Sequence, residues 1–407
     1  MAELYAWLTA LVGLFTLLGS TMLALWSLGA WRAAPVRPPG PAGQRLAIVM
    51  PAHDEESGLA ATLASVTLET QADGATDLWV VADNCTDDTA GVARRHGVGV
   101  LERNDPSQRG KGHALAFAFA QLADRGYDWL VVIDADSSLQ PGFLQALRQA
   151  MAHDSEVVQA AYYAKPTHST KARLARLAQL GFNLVRSAGR AWLGGSAGIL
   201  GNGFALRSDL VRRIPYDARS VAEDLEYQLR LGMAGVRVDY APQAVVLGEI
   251  AESAQGARTQ RARWEGGRFR MIREWTWPLL RQVLRGQRAA WEPLADLLLL
   301  PLGLHVGLLL LALSGGHPVG LACGLWGLAA VAFHVLTIAA KTPATRQDLG
   351  ALAMAPLYIL WKLSMLPLTL MTSRSNAAWV RTERTPAPPT AAPPDSSSAP
   401  PKDPPAP

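Results

Sequence analysis

The chain has 407 residues, 38 Lys and Arg against 34 Asp and Glu, a net charge of +4 and 49% hydrophobic content, which is high for a soluble protein. The basic residues lie in Arg-rich stretches beside apolar runs, which points to membrane lipids and away from nucleic acid as a partner. No Cys- or His-based metal spacing occurs, and Cys85 and Cys323 lie in segments that cannot easily meet, which suits a reducing cytoplasmic face over a disulfide framework.

From Leu4 to Trp31 there are 28 residues without a charge, a length of ~42 Å as a helix and enough to cross a tilted bilayer path. A cleaved signal peptide is the competing reading. The apolar part is too long for one, and only Glu3 precedes it, with no basic region. Residues 1–32 are therefore expected to form a retained transmembrane helix, followed by a Pro/Gly-rich linker over 33–45.

Residues 46–265 read as a cytoplasmic α/β domain. Short buried strands are predicted at Leu46–Met50, Leu78–Ala82, Val98–Leu101 and Leu130–Ile133, with helical patterns at Ser57–Thr67, Asp88–Arg95 and His113–Ala123 between them. This alternation implies a mostly parallel sheet with crossover helices. The strand in WLVVIDAD, 129–136, ends on Asp134 and Asp136. Ligands of open α/β sheets bind at that edge, so these two are candidates for a divalent metal carrying phosphates. The two preceding strands also end in acids, in PAHDEE at 51–56 and VVADNCTDD at 80–88. Asp83 or Glu55 suits a base or ribose, while Asp54 and Glu56 are candidate caps of the next helix. Arg109-Gly-Lys111-Gly opens a helix, where backbone amides and a lysine fit a diphosphate.

The stretches 171–193 and 269–291 are amphipathic and mix Arg with Trp, so 266–293 is expected to be an interfacial helix region; a surface helix packed on the domain is the alternative for each. Residues 294–372 carry apolar runs at Leu297–Ser314, Val319–Ala340 and Leu349–Thr372. The last contains Lys362, Pro356 and Pro367, and if it crossed, the arginines of the tail would lie outside, against the positive-inside rule. It is expected to be interfacial or re-entrant, kinked at both prolines, with Trp379–Arg384 under the catalytic domain. The cytoplasmic tail, 373–407, has 10 prolines in the 23 residues from Thr385 and should be disordered from about 385.

Seven motifs then stand in one order: PAHDEE at 51–56, VVADNCTDD at 80–88, RGKG at 109–112, DAD at 134–136, GNG at 201–203, ED at 223–224 and QRARW at 260–264. From Leu46 to Trp264 the chain resembles membrane-bound family 2 glycosyltransferases, the group of cellulose, chitin and hyaluronan synthases. The resemblance implies a GT-A-like fold and an inverting, metal-dependent transfer of a sugar from a nucleotide-diphosphate donor, a UDP-sugar in the first instance. Its implied donor contacts are Glu55, Asp83, Lys111, Asp134, Gln260, Arg263 and Trp264. Asp134 and Asp136 would hold Mg²⁺ or Mn²⁺, Asp224 would be the general base, and Asn202, Gly203, Glu223 and Trp264 would meet the acceptor. Ala222-Glu223 replaces the Thr-Glu common before the base in processive members, which keeps the base and leaves processivity unsupported. The apolar runs suggest a polyprenyl-linked or polysaccharide acceptor in cell-surface or exopolysaccharide synthesis at the inner membrane, with an export partner protein, since three or four spans are few to enclose a sugar-sized pore. Two rival readings are a non-catalytic nucleotide-sugar-binding scaffold, which need not keep both Asp136 and Asp224, and a nucleotidyltransferase, which has no use for an Arg-Trp motif beside membrane helices.

Overall fold

The structure, a computed structural model, describes residues 1–32, 43–152, 154–217, 222–250, 254–287 and 290–365, with single positions 38, 40, 41, 220, 367, 368 and 371. Strands β1 (Leu46–Ala52), β2 (Thr76–Asp83), β3 (Gly99–Arg103), β4 (Trp129–Val132), β5 (Ser138–Leu139), β6 (Val157–Ala164), β7 (Phe204–Arg207) and β8 (Val238–Gly248) form one sheet in the order β3-β2-β1-β4-β7-β6-β8-β5. The first four are parallel. Helices Leu59–Asp73, Thr89–Arg95 and Lys111–Leu122 follow β1, β2 and β3. Alternate residues of β1 enter two cores: Ile48 and Met50 join Leu63, Val131 and Phe143, whereas Ala47 and Val49 join Leu115, Phe119 and Phe204. Burial on both faces is why these strands read as unbroken apolar runs.

The sheet is mixed: four of its seven strand pairings are parallel, β6 with β8 among them, and three are antiparallel. Strand β7 runs antiparallel to both β4 and β6, and β5 runs antiparallel to β8. Because β7 runs backwards, Phe204 pairs with Val132, and residues 201–203 arrive beside the end of β4 where Asp134 begins.

Two helices, Ala2–Gly29 and Pro318–Lys341, are long and apolar enough to cross a membrane. The expected span Leu297–Ser314 is instead broken. Trp291–Leu298 and Leu302–Ser314 are bent by 76°, and the break holds Pro301, whose missing N–H cannot extend the ladder. The Leu349–Thr372 run is also no single helix: Arg346–Gly350, a 3₁₀ turn Ala351–Met354 and Ala355–Ser364 succeed one another. Pro356 starts that last helix rather than kinking it, as suits a residue lacking an amide proton. Lys362 pairs with Glu265 at 2.6 Å. Pro367 stands at a single described position, and Trp379–Arg384 and the tail lie outside the described residues.

Three of the four arginines of 171–193 are turned inward. Helix Thr170–Leu180, a π-turn Gly181–Arg186 and helix Ser187–Trp192 run on from one another. Their Arg176, Arg186 and Arg190 are buried and ion-paired with Asp348, Asp296 and Glu292. Opposite charges more than 100 residues away turn this amphipathic segment inward, so it ties the sheet domain to the apolar helices. Glycines allow the approach: a Cβ on Gly189 would collide with the Trp26 carbonyl, and one on Gly181 would lie 2.6 Å from His334 Nε2. The 265/266 boundary expected between catalytic and interfacial regions falls inside one helix, Ala254–Leu284. Its later turns expose Arg273, Trp277 and Arg281, and Arg285 is exposed in the turn that follows.

Candidate active site

The C-terminal ends of β1 and β2 meet in a braced pair of loops. Asp54, held at φ 53°, accepts from the Thr86 amide at 2.6 Å, and Glu56 accepts from the Asp88 amide at 3.1 Å. Neither caps the next helix, whose N-cap is Gly58 without a side-chain bond; both fasten one loop to the other. Glu55 is buried, with its amide donating to Thr89 Oγ1 at 2.8 Å. Asp83 is buried too, and its Oδ1 accepts from Arg103 Nη1 at 2.6 Å and from Asn84 Nδ2 at 3.1 Å. Arg103 fixes the orientation of Asp83, and nothing local in the sequence marks it for that task.

Lys111 opens helix Lys111–Leu122 after Gly110, whose φ of 125° favours glycine. Its Nζ donates to Asp134 Oδ1 and to the Gly201 carbonyl, rather than standing alone as a diphosphate contact. Burial works against the ammonium, but Asp134, Glu223 and Asp224 outweigh it and hold Lys111 above its usual pKa. Asn202 and Gly203, expected at the acceptor, lie underneath. Asn202 is 1% exposed, accepts from the Asp134 amide at 3.1 Å and donates to Ser137 Oγ at 2.7 Å. The Gly203 amide donates to the Val132 carbonyl at 2.9 Å, and Val246 fills the space where a Cβ would go. These two residues position the Asp134 turn. Gln159, fully buried on β6, completes the bracket by donating to the carbonyls of Asn202 and Gly203 and accepting from the Leu200 amide.

Helix Glu223–Met233 brings Glu223 and Asp224 in on its first turn, where amide dipoles favour acids. Burial first, then the charge of Asp224, pushes the Glu223 carboxyl up to about 7. Burial also raises Asp224, against its bond from the Leu225 amide and the charges of Lys111 and Arg263. Gly201 stands against Asp224: a Cβ there would lie 2.8 Å from Oδ2. Tyr162 reports the convergence from the other side, since after burial the charges of Asp134, Asp136 and Asp224 all raise its hydroxyl. Sequence reasoning missed Tyr162 and Gln159, whose strand reads simply as VVQAAYYA.

One cleft of about 820 Å³ contains this arrangement. Glu55, Asp83, Lys111, Asp134, Asp136, Glu223 and Asp224 line it, as do Gln260, Arg263 and Trp264 from the long helix, whereas Asn202 and Gly203 do not. Four carboxylates, Asp134, Asp136, Glu223 and Asp224, face Lys111 and Arg263 here. Among these six the surplus is negative, and the donor atoms are carboxylate oxygens, which suit a hard divalent cation.

An α/β sheet with acids at its strand ends and a cationic rim defines a nucleotide-handling class of domain. The chain belongs to the family described as "Glycosyltransferase like family 2", which matches residues 41–267. It is 23% identical over 231 residues to "Probable glycosyltransferase YdaM" of Bacillus subtilis (strain 168), covering 55% of each chain. It is 36% identical over 106 residues to "Uncharacterized glycosyltransferase Rv0539" of Mycobacterium tuberculosis (strain ATCC 25618 / H37Rv), covering 26% of this chain and 43% of that one. The match thus spans about half the length of these curated relatives. Among solved structures, the mannosyltransferase PcManGT from Pyrobaculum calidifontis, in complex with GDP-Man and Mn²⁺, shares the fold with a TM-score of 0.53 at 17% identity, over 92% of this chain and 96% of that one. The likeness thus extends through the apolar helices as well as the sheet.

Proposed function

We propose that this chain is a membrane-bound, inverting glycosyltransferase that moves a sugar from a nucleotide-diphosphate donor to a polyprenyl-linked or polysaccharide acceptor at the inner membrane. One observation carries the reading: the sequence-distant carboxylates Asp134, Asp136, Glu223 and Asp224 line the same cleft as Lys111 and Arg263, and that cleft runs on between the apolar helices. Asp134 and Asp136 would hold Mg²⁺ or Mn²⁺, which supplies charge neutralisation on the leaving diphosphate; the neighbour solved with Mn²⁺ and a nucleotide sugar agrees.

The chain's own residues account for the rest. Asp83, fixed by Arg103, and Glu55 sit where a nucleoside would end its path along the strand tips. Arg263 and Lys111 stabilise negative charge developing on the leaving group. The acceptor hydroxyl oxygen forms the new bond to the anomeric carbon as the carbon–oxygen bond to the diphosphate breaks, and the hydroxyl proton passes to Asp224. Burial keeps that carboxylate more basic than an exposed one, which suits a general base and contributes on the order of 10²- to 10⁴-fold. Single displacement inverts the anomeric centre. Ala2–Gly29 and Pro318–Lys341 would span, with the sheet domain on the cytoplasmic side where nucleotide sugars are made.

The test is a screen of radiolabelled nucleotide sugars with the full chain in lipid, reading hydrolysis and transfer together. Asp224→Asn should abolish transfer while keeping donor binding, and Asp136→Asn should abolish transfer and weaken metal-dependent nucleotide binding. Near-normal turnover by Asp224→Asn would remove the general-base assignment, and an absence of turnover with every donor would remove the enzyme reading.

A further inference from the structure

The cleft is electrically divided. Its sheet end is acidic, as described above. Its far end has apolar walls, Leu23 and Phe182 among them with residues 299–302; Arg186 and Arg268 line it there, as does Lys362, whose charge Glu265 matches at 2.6 Å. Behind them a buried cluster sets three guanidiniums, Arg186, Arg190 and Arg268, against two carboxylates, Asp296 and Glu292. Arg268 is committed to the break between helices, donating to the carbonyls of Asp296 and Leu299. Arg186 is not fully committed: one amino group meets Asp296, while its buried Nε has no hydrogen-bond partner. The guanidinium lies 4.2 Å from the Phe182 ring centre and 5.0 Å from that of Trp26, contacts that offset only part of an excess charge. Buried donors and buried cations are ordinarily matched.

We propose that this end of the cleft binds the lipid phosphate of a lipid-linked sugar acceptor, with the phosphate against Arg186, its hydrocarbon chain along Leu23, Phe182 and Leu299–Leu302, and the sugar hydroxyl toward Asp224. The inference rests on the glycosyltransferase reading and narrows its acceptor. A neutral glycan brings no counter-charge and would face apolar walls, whereas a lipid phosphate meets both requirements. It also enters from the membrane side while the donor occupies the acidic end. The division keeps two anionic substrates apart: the diphosphate needs a cation at the carboxylates, and the acceptor uses the built-in one.

The experiment is equilibrium binding of radiolabelled dodecyl phosphate and dodecanol to the full chain in phosphatidylcholine nanodiscs, with inorganic phosphate and phosphatidylglycerol as competitors. Dodecyl phosphate should bind at least tenfold tighter than dodecanol, and neither competitor should displace it at equal concentration. Arg186→Gln should erase the tenfold preference and leave dodecanol binding unchanged. That variant leaves two guanidiniums facing two carboxylates, so the cluster remains balanced, and its thermal midpoint verifies folding. Arg186→Lys, which keeps the charge, should retain most of the preference. Equal binding of phosphate and alcohol, a preference that survives Arg186→Gln, or displacement by phosphatidylglycerol would each overturn the proposal. Binding of UDP or GDP with Mn²⁺ is measured on the same samples: its failure in the unmodified chain would strike the glycosyltransferase reading and leave the lipid result standing separately.

Discussion

Glu223→Gln should stabilise the protein at pH 8 and leave its stability at pH 4 nearly unchanged. The carboxyl holds its proton to about 7 in the fold against an ordinary 4.5, because it is buried beside Asp224. Below the ordinary value, folded and unfolded chains both carry the proton, and Glu223 makes no difference. As pH rises from there through 7, the unfolded chain releases the proton first, so the folded state loses stability, and above 7 the whole cost is present. That cost is about 3 kcal/mol for a fully buried group, and water entering the cleft to this partly exposed side chain reduces it to about 1–3 kcal/mol. Glutamine removes it. For a domain of this size the gain amounts to about 5 °C in the unfolding midpoint at pH 8. Thermal unfolding of the full chain in detergent at pH 4, 6 and 8 measures it. Added Mn²⁺ should raise the parent chain's midpoint at pH 8 more than the variant's, since a divalent cation offsets the same surplus. Equal midpoint differences at pH 4 and pH 8 would refute the idea that this site stores unbalanced negative charge.

Gly201→Ala places a Cβ 2.8 Å from Asp224 Oδ2 at a φ of +79°, so it should cost about 1–3 kcal/mol and lower kcat more than it raises KM, as steady-state kinetics would show. Gln159→Leu leaves the Asn202 carbonyl and the Leu200 amide unsatisfied, while the Gly203 carbonyl keeps its bond from the Ala160 amide, and chemical denaturation should report a loss of about 2–4 kcal/mol together with lost activity. Lys362→Met strips Glu265 of its 2.6 Å partner and leaves Arg261 at 3.6 Å; protease protection of the helix Ala355–Ser364 should fall, and adding Glu265→Gln should restore most of it. The product linkage should be inverted relative to the donor, and NMR detection of an α-linkage formed from an α-donor would contradict single displacement.

Local sequence was sufficient wherever one segment's own pattern decides its state. The apolar runs that became β1, β2 and β4 were legible because two-sided burial leaves a continuous Val, Ile and Leu signature, and the half-buried β3 and the helices between them followed from their spacing. The acids at strand ends were legible for a related reason: parallel strands place all their C-terminal ends on one edge, so Asp83 and Asp134 share that edge, with β1 between their strands. The membrane-length helix Ala2–Gly29 followed from its uncharged stretch alone.

What the sequence could not specify was which partner a charged or polar side chain would meet across long separations. Arg186 and Asp296 are 110 residues apart, and Arg176 and Asp348 are 172 apart. An amphipathic segment with exposed or buried arginines looks the same in one dimension, so 171–193 fitted an interfacial helix and a helix packed on the domain equally well. The GNG turn likewise looked like a substrate contact, because a short glycine-flanked asparagine carries no mark of depth. Only the antiparallel entry of β7 buries it behind Asp134. The residues and their order determined the chemistry this protein can perform; the tertiary structure decided which carboxylates are left short of counter-charge and which arginine is left with a surplus, because charge balance is a property of packed neighbours and not of sequence neighbours.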